Sequence, residues 1–449
     1  MNRIAKRSAA ILILCLALLL GFGFFVYEFG ANAANWVVFP GSPHVYTGGN
    51  IGCGTITDRD GNTLLSLSGD RVYTQDSLLR KATVHYLGDR KGSVSAPALT
   101  HYAEQIVSFD LLGGIYAYGS AGSVAQMTLS SKLQKAALTA LGEKSGTVAV
   151  YNYQTGALLC AVTSPTFDPD EVFAEVDSMY LNRFTQGLYT PGSIFKIVTL
   201  AAALEDDPTI ENQFFTCTGE LAFGLDKITC ERPHGTQTLQ TAFRNSCNCA
   251  FAQIAVSLGI EKMTAYAEKF GVAGSVSFDG ITTAKGKYDV SNAADINLAW
   301  SGVGQYTVSV NPCVYLTFVG AIATGGQGVS PHLVETVQNG YNVLYQAETE
   351  KNDRILSEET AQILRNYLRS NVADKYGDEN FAGLTVCAKT GTAEVGSDKK
   401  PNAMLTGFAL DADMPIAFII CVEDGGYGAK VCIPIAQQVL SVFKEYVTP

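Results

Sequence analysis

Basic residues are scarce in this chain and nowhere clustered. Its 31 Lys and Arg are outnumbered by 42 Asp and Glu, for a formal net charge of −11. Nucleic-acid-binding proteins usually carry a basic patch or stripe, so no nucleic-acid partner is expected. Histidine is scarcer still. The five are scattered, and none stands at zinc-ligand spacing from the cysteines, so neither a metal nor another cofactor is expected. Internal repeats and charge runs are absent. Long apolar runs are absent too, after the first one: "AAILILCLALLLGFGFFVY" (Ala9–Tyr27) is nineteen residues without a charge, enough to span a bilayer. Arg3, Lys6 and Arg7 before it and Glu28 after it place the N-terminus inside and the remainder outside. The run is longer than a usual signal-peptide core, and only "ANA" at 31–33 offers small residues for cleavage. An uncleaved single-pass anchor is therefore expected, with a cytoplasmic tail at 1–8, the span at 9–27 and an extracytoplasmic body in the cell membrane.

What is plentiful is apolar material. A 47% hydrophobic chain of 449 residues with 44 Gly supports a sizeable core and two or three domains. Of eleven cysteines, Cys15 lies in the anchor. Cys217 and Cys230 flank "TGELAFGLDKIT" and are candidates for a short disulfide loop in an oxidising compartment. Cys247 and Cys249 are too close to pair with each other, and the others read as small core residues.

Residues 35–125 read as a loop-rich module with strand signals, including a hairpin in "GTITDRDGNTLLSLS" turning at Asp60-Gly61. A glycine- and serine-rich stretch, "LLGGIYAYGSAGS", separates it from residues 126–449. There "MTLSSKLQKAALTAL" is an amphipathic helix and "SGTVAVYNYQTGALLCAVTSP" two strands. "LTVCAKTGTAEV", "AMLTGFALD" and "MPIAFIICVED" give three more near the end, before a last helix. Five strands split between the two ends, with helices between, predict an α+β domain: a mostly antiparallel five-stranded sheet flanked by helices.

One stretch asks for an explanation. In "YTPGSIFKIVTL" (189–200), Pro191-Gly192 breaks the chain and an apolar helix begins, carrying Ser193 and Lys196 three residues apart. Positions i and i+3 share a helix face. A desolvated lysine loses proton affinity, and a neutral amine beside a hydroxyl is a base that activates a nucleophile. The blander reading is a helix start whose lysine snorkels to solvent, and Ser-x-x-Lys recurs at Ser441–Lys444 with nothing else to distinguish it. Two further short motifs follow: Ser246-Cys247-Asn248, and Lys389-Thr390-Gly391-Thr392. Each in isolation reads as a helix cap or an exposed strand charge.

In the order Ser-x-x-Lys, Ser-x-Asn, Lys-Thr-Gly, the three resemble the penicillin-binding protein and serine β-lactamase superfamily. The resemblance extends over about residues 126–449, through "YNYQTGALLCAVTSPTFDPD", "HGTQTLQTAFRNSCNCAFAQIAVSLG", "GVGQYTVSVNP" and "LTGFALDADMPIAFIICVE". "GTITDRDGNTLL" with "RKATVHYLGD" is similar to the N-terminal module of class B penicillin-binding proteins. The roughly ninety residues between anchor and transpeptidase leave no room for the glycosyltransferase domain of class A. The resemblance implies a D,D-transpeptidase that cross-links cell-wall stem peptides ending in D-Ala-D-Ala through a serine acyl-enzyme, and that β-lactams inhibit covalently. It implies Ser193 as nucleophile, Lys196 as base, Ser246 as proton relay and Asn248 as a clamp on substrate and Lys196. Lys389 supplies positive potential, Thr390 and Thr392 receive the terminal carboxylate, and Gly391 leaves room for substrate against the strand. Backbone N–H groups of Ser193 and Thr392 form the oxyanion hole. A multi-spanning glycan polymerase is the expected partner.

Rival readings are a β-lactamase or β-lactam sensor, a D,D-carboxypeptidase, and a non-catalytic scaffold for wall synthesis. No Glu-x-x-Asn lies between Asn248 and Lys389, and position 248 is Asn where class D β-lactamases have Val. Both facts favour a transpeptidase. Glu394 stands where many relatives have Gln.

Overall fold

The computed structural model describes residues 2–39, 41–68, 70–116, 122–172, 174–396 and 398–447; the glycine- and serine-rich stretch before residue 125 falls partly outside them. A single helix, Asn2–Val37, contains the whole apolar run, and its side chains are exposed almost throughout. It is long and apolar enough to cross a bilayer.

The anchor leads into a six-stranded sheet ordered Asn342–Gln346, Val334–Asn339, Val124–Met127, Thr55–Thr57, Thr63–Ser68, Asp70–Tyr73. The Asp60-Gly61 hairpin forms because Asp58 Oδ1 accepts from the N–H groups of Asp60 (3.0 Å) and Asn62 (2.8 Å). The module is not only strand and loop. Ser77–Leu87 is a helix, capped by the Asp76 carboxylate on Leu79 N–H. The sheet also draws strands from both sides of residue 126. Val124–Met127 pairs in parallel with Thr55–Thr57 and antiparallel with Val334–Asn339, two hundred residues away. Composition does not register a pairing of that range.

The second sheet has five antiparallel strands in the order Val386–Ala393, Asn402–Ala409, Ile416–Val422, Gly146–Asn152, Leu158–Ser164. The strands read as near-continuous apolar runs because helices cover both faces. Side chains alternate between those faces. Val148, Val150, Leu405 and Phe418 pack with the helices Ser131–Leu141 and Gly428–Val447. Ala149, Tyr151, Cys387 and Ile419 face the opposite core. That core contains Lys196–Asp206, a helix buried on nearly every side and packed against the helices Asn248–Lys269 and Glu358–Asn371, with the turn before it set on the strand Val386–Ala393. The motif serine and lysine stand at the start of this helix.

Candidate active site

The chain enters the site through a 3₁₀ turn, Gly192–Phe195, before the α-helix proper begins at Lys196. The tighter turn matters because 3₁₀ geometry eclipses positions i and i+3, setting Lys196 directly over Ser193. Gly192 makes the turn possible. Its φ is +52°, and an added Cβ would meet the Thr392 carbonyl oxygen at 2.4 Å. The same contact places the Ser193 end of the helix against the backbone of the Lys389–Thr392 strand. Tyr315 OH donates to Ile194 O at 2.7 Å and fixes the turn from the other side.

Lys196 is completely buried. Its Nζ lies 2.8 Å from Ser193 Oγ, 2.8 Å from Asn248 Oδ1 and 3.4 Å from Ser246 Oγ. Burial lowers its pKa from 10.5 to about 8. A neutral amine donates to the acceptor-only Asn248 Oδ1 and offers its lone pair to the Ser193 hydroxyl. Asn248 Nδ2 donates to Thr229 O at 2.8 Å, which orients the amide with its oxygen toward the lysine. Ser246 occupies the left-handed region, φ +54°, in the bend between the helices Leu239–Arg244 and Asn248–Lys269. A non-glycine residue there stores about 1–3 kcal/mol of strain. The bend aims its hydroxyl between two lysines.

The second is Lys389, 1% exposed, with Nζ 3.1 Å from Ser246 Oγ, 3.0 Å from Thr390 O and 6.0 Å from the Phe243 ring centre. Burial, then the neighbouring Lys196 and Lys375, hold it well below the ordinary lysine range. Thr390 and Thr392 lie on the partly open edge of the strand. Tyr376 OH sits 3.0 Å from Thr390 Oγ1 and also accepts from Thr390 N–H at 3.3 Å; Thr392 Oγ1 accepts from Gly428 N–H at 3.1 Å. The Thr392 hydroxyl proton remains to be donated.

The three motifs, separated by 53 and then about 140 residues, thus meet around one amine. Gly391 also serves packing: a Cβ there would meet Pro191 O at 2.9 Å and Ile194 Cγ2 at 3.0 Å, so the missing side chain lets strand and Ser193 turn pack together. One sequence reading needs correction: Cys217 and Cys230 are not bridged. Both are free, and Cys230 Sγ lies 3.7 Å from Cys247 Sγ and 3.5 Å from Cys249 Sγ. Cys217, Cys230, His234 and Cys247 bring their ligating atoms within 4.8 Å of one another, although the sequence spacing suggested no metal site. Tyr376, Thr229 and Phe243 were not anticipated either. None belongs to a short motif, and Tyr376 reaches Thr390 only through a π-turn, Val372–Tyr376.

Residues 146–441 match the penicillin binding protein transpeptidase domain family. The chain is 28% identical over 357 residues to the peptidoglycan D,D-transpeptidase PbpA of Mycolicibacterium smegmatis, covering 71% of this chain and 72% of that protein. It is 28% identical over 407 residues to stage V sporulation protein D of Bacillus subtilis, covering 85% of this chain but 60% of that longer protein. The D,D-transpeptidase domain of a peptidoglycan glycosyltransferase from Eggerthella lenta superposes with a TM-score of 0.74 at 28% identity, covering 88% and 99% of the two chains. Penicillin-binding protein A from M. tuberculosis, solved as an imipenem acyl-enzyme, shares the fold at a TM-score of 0.75 and 23% identity, covering 87% and 98%.

Proposed function

Because this chain belongs to the penicillin-binding protein transpeptidase family, as a class B member, we propose that it cross-links peptidoglycan stem peptides through an acyl-enzyme on Ser193. The observation that carries the reading is the single buried amine of Lys196, within 3.4 Å of Ser193, Ser246 and Asn248 together. Ser193 Oγ attacks the carbonyl of the penultimate D-Ala, and its proton passes to the neutral Lys196. Negative charge on the carbonyl oxygen is met by the backbone N–H groups of Ser193 and Thr392; one such donor is worth about 100- to 1,000-fold in rate. The C–N bond breaks, and the leaving D-Ala amine takes a proton through Ser246 Oγ, which contacts both lysines. An acceptor amine on a neighbouring strand then attacks the ester, gives its proton to Lys196, and releases Ser193. Lys389 and the Thr392 hydroxyl receive the terminal carboxylate.

The N-terminal helix holds residues 35–449 outside the cell, beside a multi-spanning glycan polymerase that supplies the strands. The basic Arg3, Lys6 and Arg7 on the cytoplasmic side support that orientation. Labelling the full-length protein with a fluorescent penicillin, followed by mass-spectrometric location of the adduct, tests the assignment. A stable adduct on Ser193 that disappears in Ser193→Ala is expected. No adduct with intact penicillin would move a non-catalytic scaffold to first place, and no adduct with consumed penicillin would mean a β-lactamase.

A further inference from the structure

Beside the acylation machinery lies a group of side chains that the reaction does not use. We propose that Cys217, Cys230, His234 and Cys247 form a tetrahedral zinc site that clamps the Ser246–Asn248 bend to the two hairpins preceding it.

The ligands converge from three pieces of backbone. Cys217 ends the strand Phe214–Cys217 and lies opposite Gly235, at the start of Gly235–Thr238. His234 N–H donates to Cys217 O at 3.1 Å, which draws the imidazole alongside. Cys230 follows the strand Asp226–Thr229, and its N–H donates to Gly219 O at 2.8 Å. Cys247 is the residue that opens the helix Asn248–Lys269. Zinc binds thiolate sulfur at about 2.3 Å, so tetrahedral geometry separates two such sulfurs by about 3.8 Å. Cys230 and Cys247 Sγ are 3.7 Å apart, and all four ligating atoms lie within 4.8 Å of one another.

Three further observations point to an ion. His234 Nδ1 is buried with no hydrogen-bond partner. An imidazole nitrogen left so is costly, and a metal either binds it or fixes the ring so that it is met. Cys230 Sγ accepts from the N–H groups of Asn248 (3.2 Å) and Cys249 (3.4 Å), the amide-to-sulfur bonds that suit a metal-bound thiolate. Between Phe214 and Thr238 only Phe215, Cys217, Ile228 and Gln237 are buried. So small an apolar contribution does not hold two hairpins in place, and a structural metal is one of the usual remedies. Three thiolates and an imidazole in tetrahedral array select zinc among the common divalent ions.

The clamp bears on catalysis through position. Cys247 lies between Ser246 and Asn248, and Asn248 Nδ2 donates to Thr229 O, next to Cys230. Fixing Cys230 and Cys247 on one ion therefore fixes Ser246 and Asn248, two of the three polar partners of Lys196.

The test is metal analysis of the full-length protein in detergent by plasma mass spectrometry, a readout independent of whether Ser193 acylates. About one zinc per chain is expected. Cys217→Ser/His234→Ala should lose it, whereas Cys249→Ser and Cys53→Ser should keep it. Should the double variant fail to fold, cobalt added to the chelator-treated wild type should give the intense visible bands of tetrahedral cobalt thiolate. Chelation should lower Tm and slow penicillin acylation, and zinc should restore both. The site is refuted if wild type binds neither zinc nor cobalt, or if peptide mapping finds a disulfide joining any two of Cys217, Cys230 and Cys247. Removing a bound zinc with no effect on Tm or acylation would refute the clamp.

Discussion

Acylation of Ser193 should follow the protonation of Lys196. With a pKa of about 8, brought down from 10.5 by burial, the amine is neutral in about one molecule in ten at pH 7. At its ordinary value it would be neutral in about one in 3,000. The neutral form is the base, so the rate falls as pH drops. The second-order rate of acylation by a fluorescent penicillin, followed by stopped flow, should rise about tenfold per pH unit from 6 towards 8 and level off above it. Lys196→Arg places a guanidinium that stays protonated across this range, and should lose about 100- to 10,000-fold, the usual contribution of general-base catalysis. The reasoning would be refuted by a profile flat from pH 6 to 9, or by one still climbing at pH 10. The first would mean that proton transfer to Lys196 does not limit acylation, the second that burial leaves the amine's affinity for protons intact.

Two other perturbations separate packing from chemistry. Gly391→Ala pushes a methyl to within 2.9 Å of Pro191 O and 3.0 Å of Ile194 Cγ2, so it should destabilise the domain by about 1–3 kcal/mol in denaturant titrations and displace Ser193; unchanged stability would refute the packing role, and slowed acylation at unchanged stability would leave Gly391 as clearance for a ligand alone. Tyr376→Phe removes the hydroxyl that contacts Thr390 Oγ1 and accepts from Thr390 N–H, at a cost of about 1 kcal/mol. Its effect should fall on KM for peptide substrates more than on kcat, which steady-state D-alanine release measures.

The frame of the molecule was legible from periodicity. The helix Ser131–Leu141 and the five sheet strands stand where the pattern put them. The meeting of Ser193, Lys196, Ser246, Asn248 and Lys389 was legible only through resemblance, because a motif three residues long has no meaning until the chain folds. What escaped is long-range or subtractive. The six-stranded sheet recruits Val334–Asn339 across two hundred residues. Gly391 is needed for what would collide with a side chain, which no local pattern states. Cys217, Cys230, His234 and Cys247 follow the spacing Cys-x₁₂-Cys-x₃-His-x₁₂-Cys, too open for a familiar zinc motif, and hairpin pairing closes those gaps.

The two lysines on Ser246 also say how substrate readies the site. Both amines contact Ser246 Oγ, at 3.4 Å and 3.1 Å; two ammonium groups so placed repel by a few kcal/mol at an effective dielectric of about 20, and neither Lys196 nor Lys389 has a carboxylate among its hydrogen-bond partners. The arrangement of the two amines therefore disfavours charging both. A substrate that brings its terminal carboxylate to Lys389 stabilises the cation there. The proton then has a preferred home on Lys389, and the base beside Ser193 stays neutral. Ser246 contacts both amines, and in the proposed reaction it is the route by which a proton crosses from one to the other. A carboxylate in the ligand is thus more than an anchor. In the proposed reaction it sorts the charges so that Lys196 is a base when the scissile carbonyl arrives.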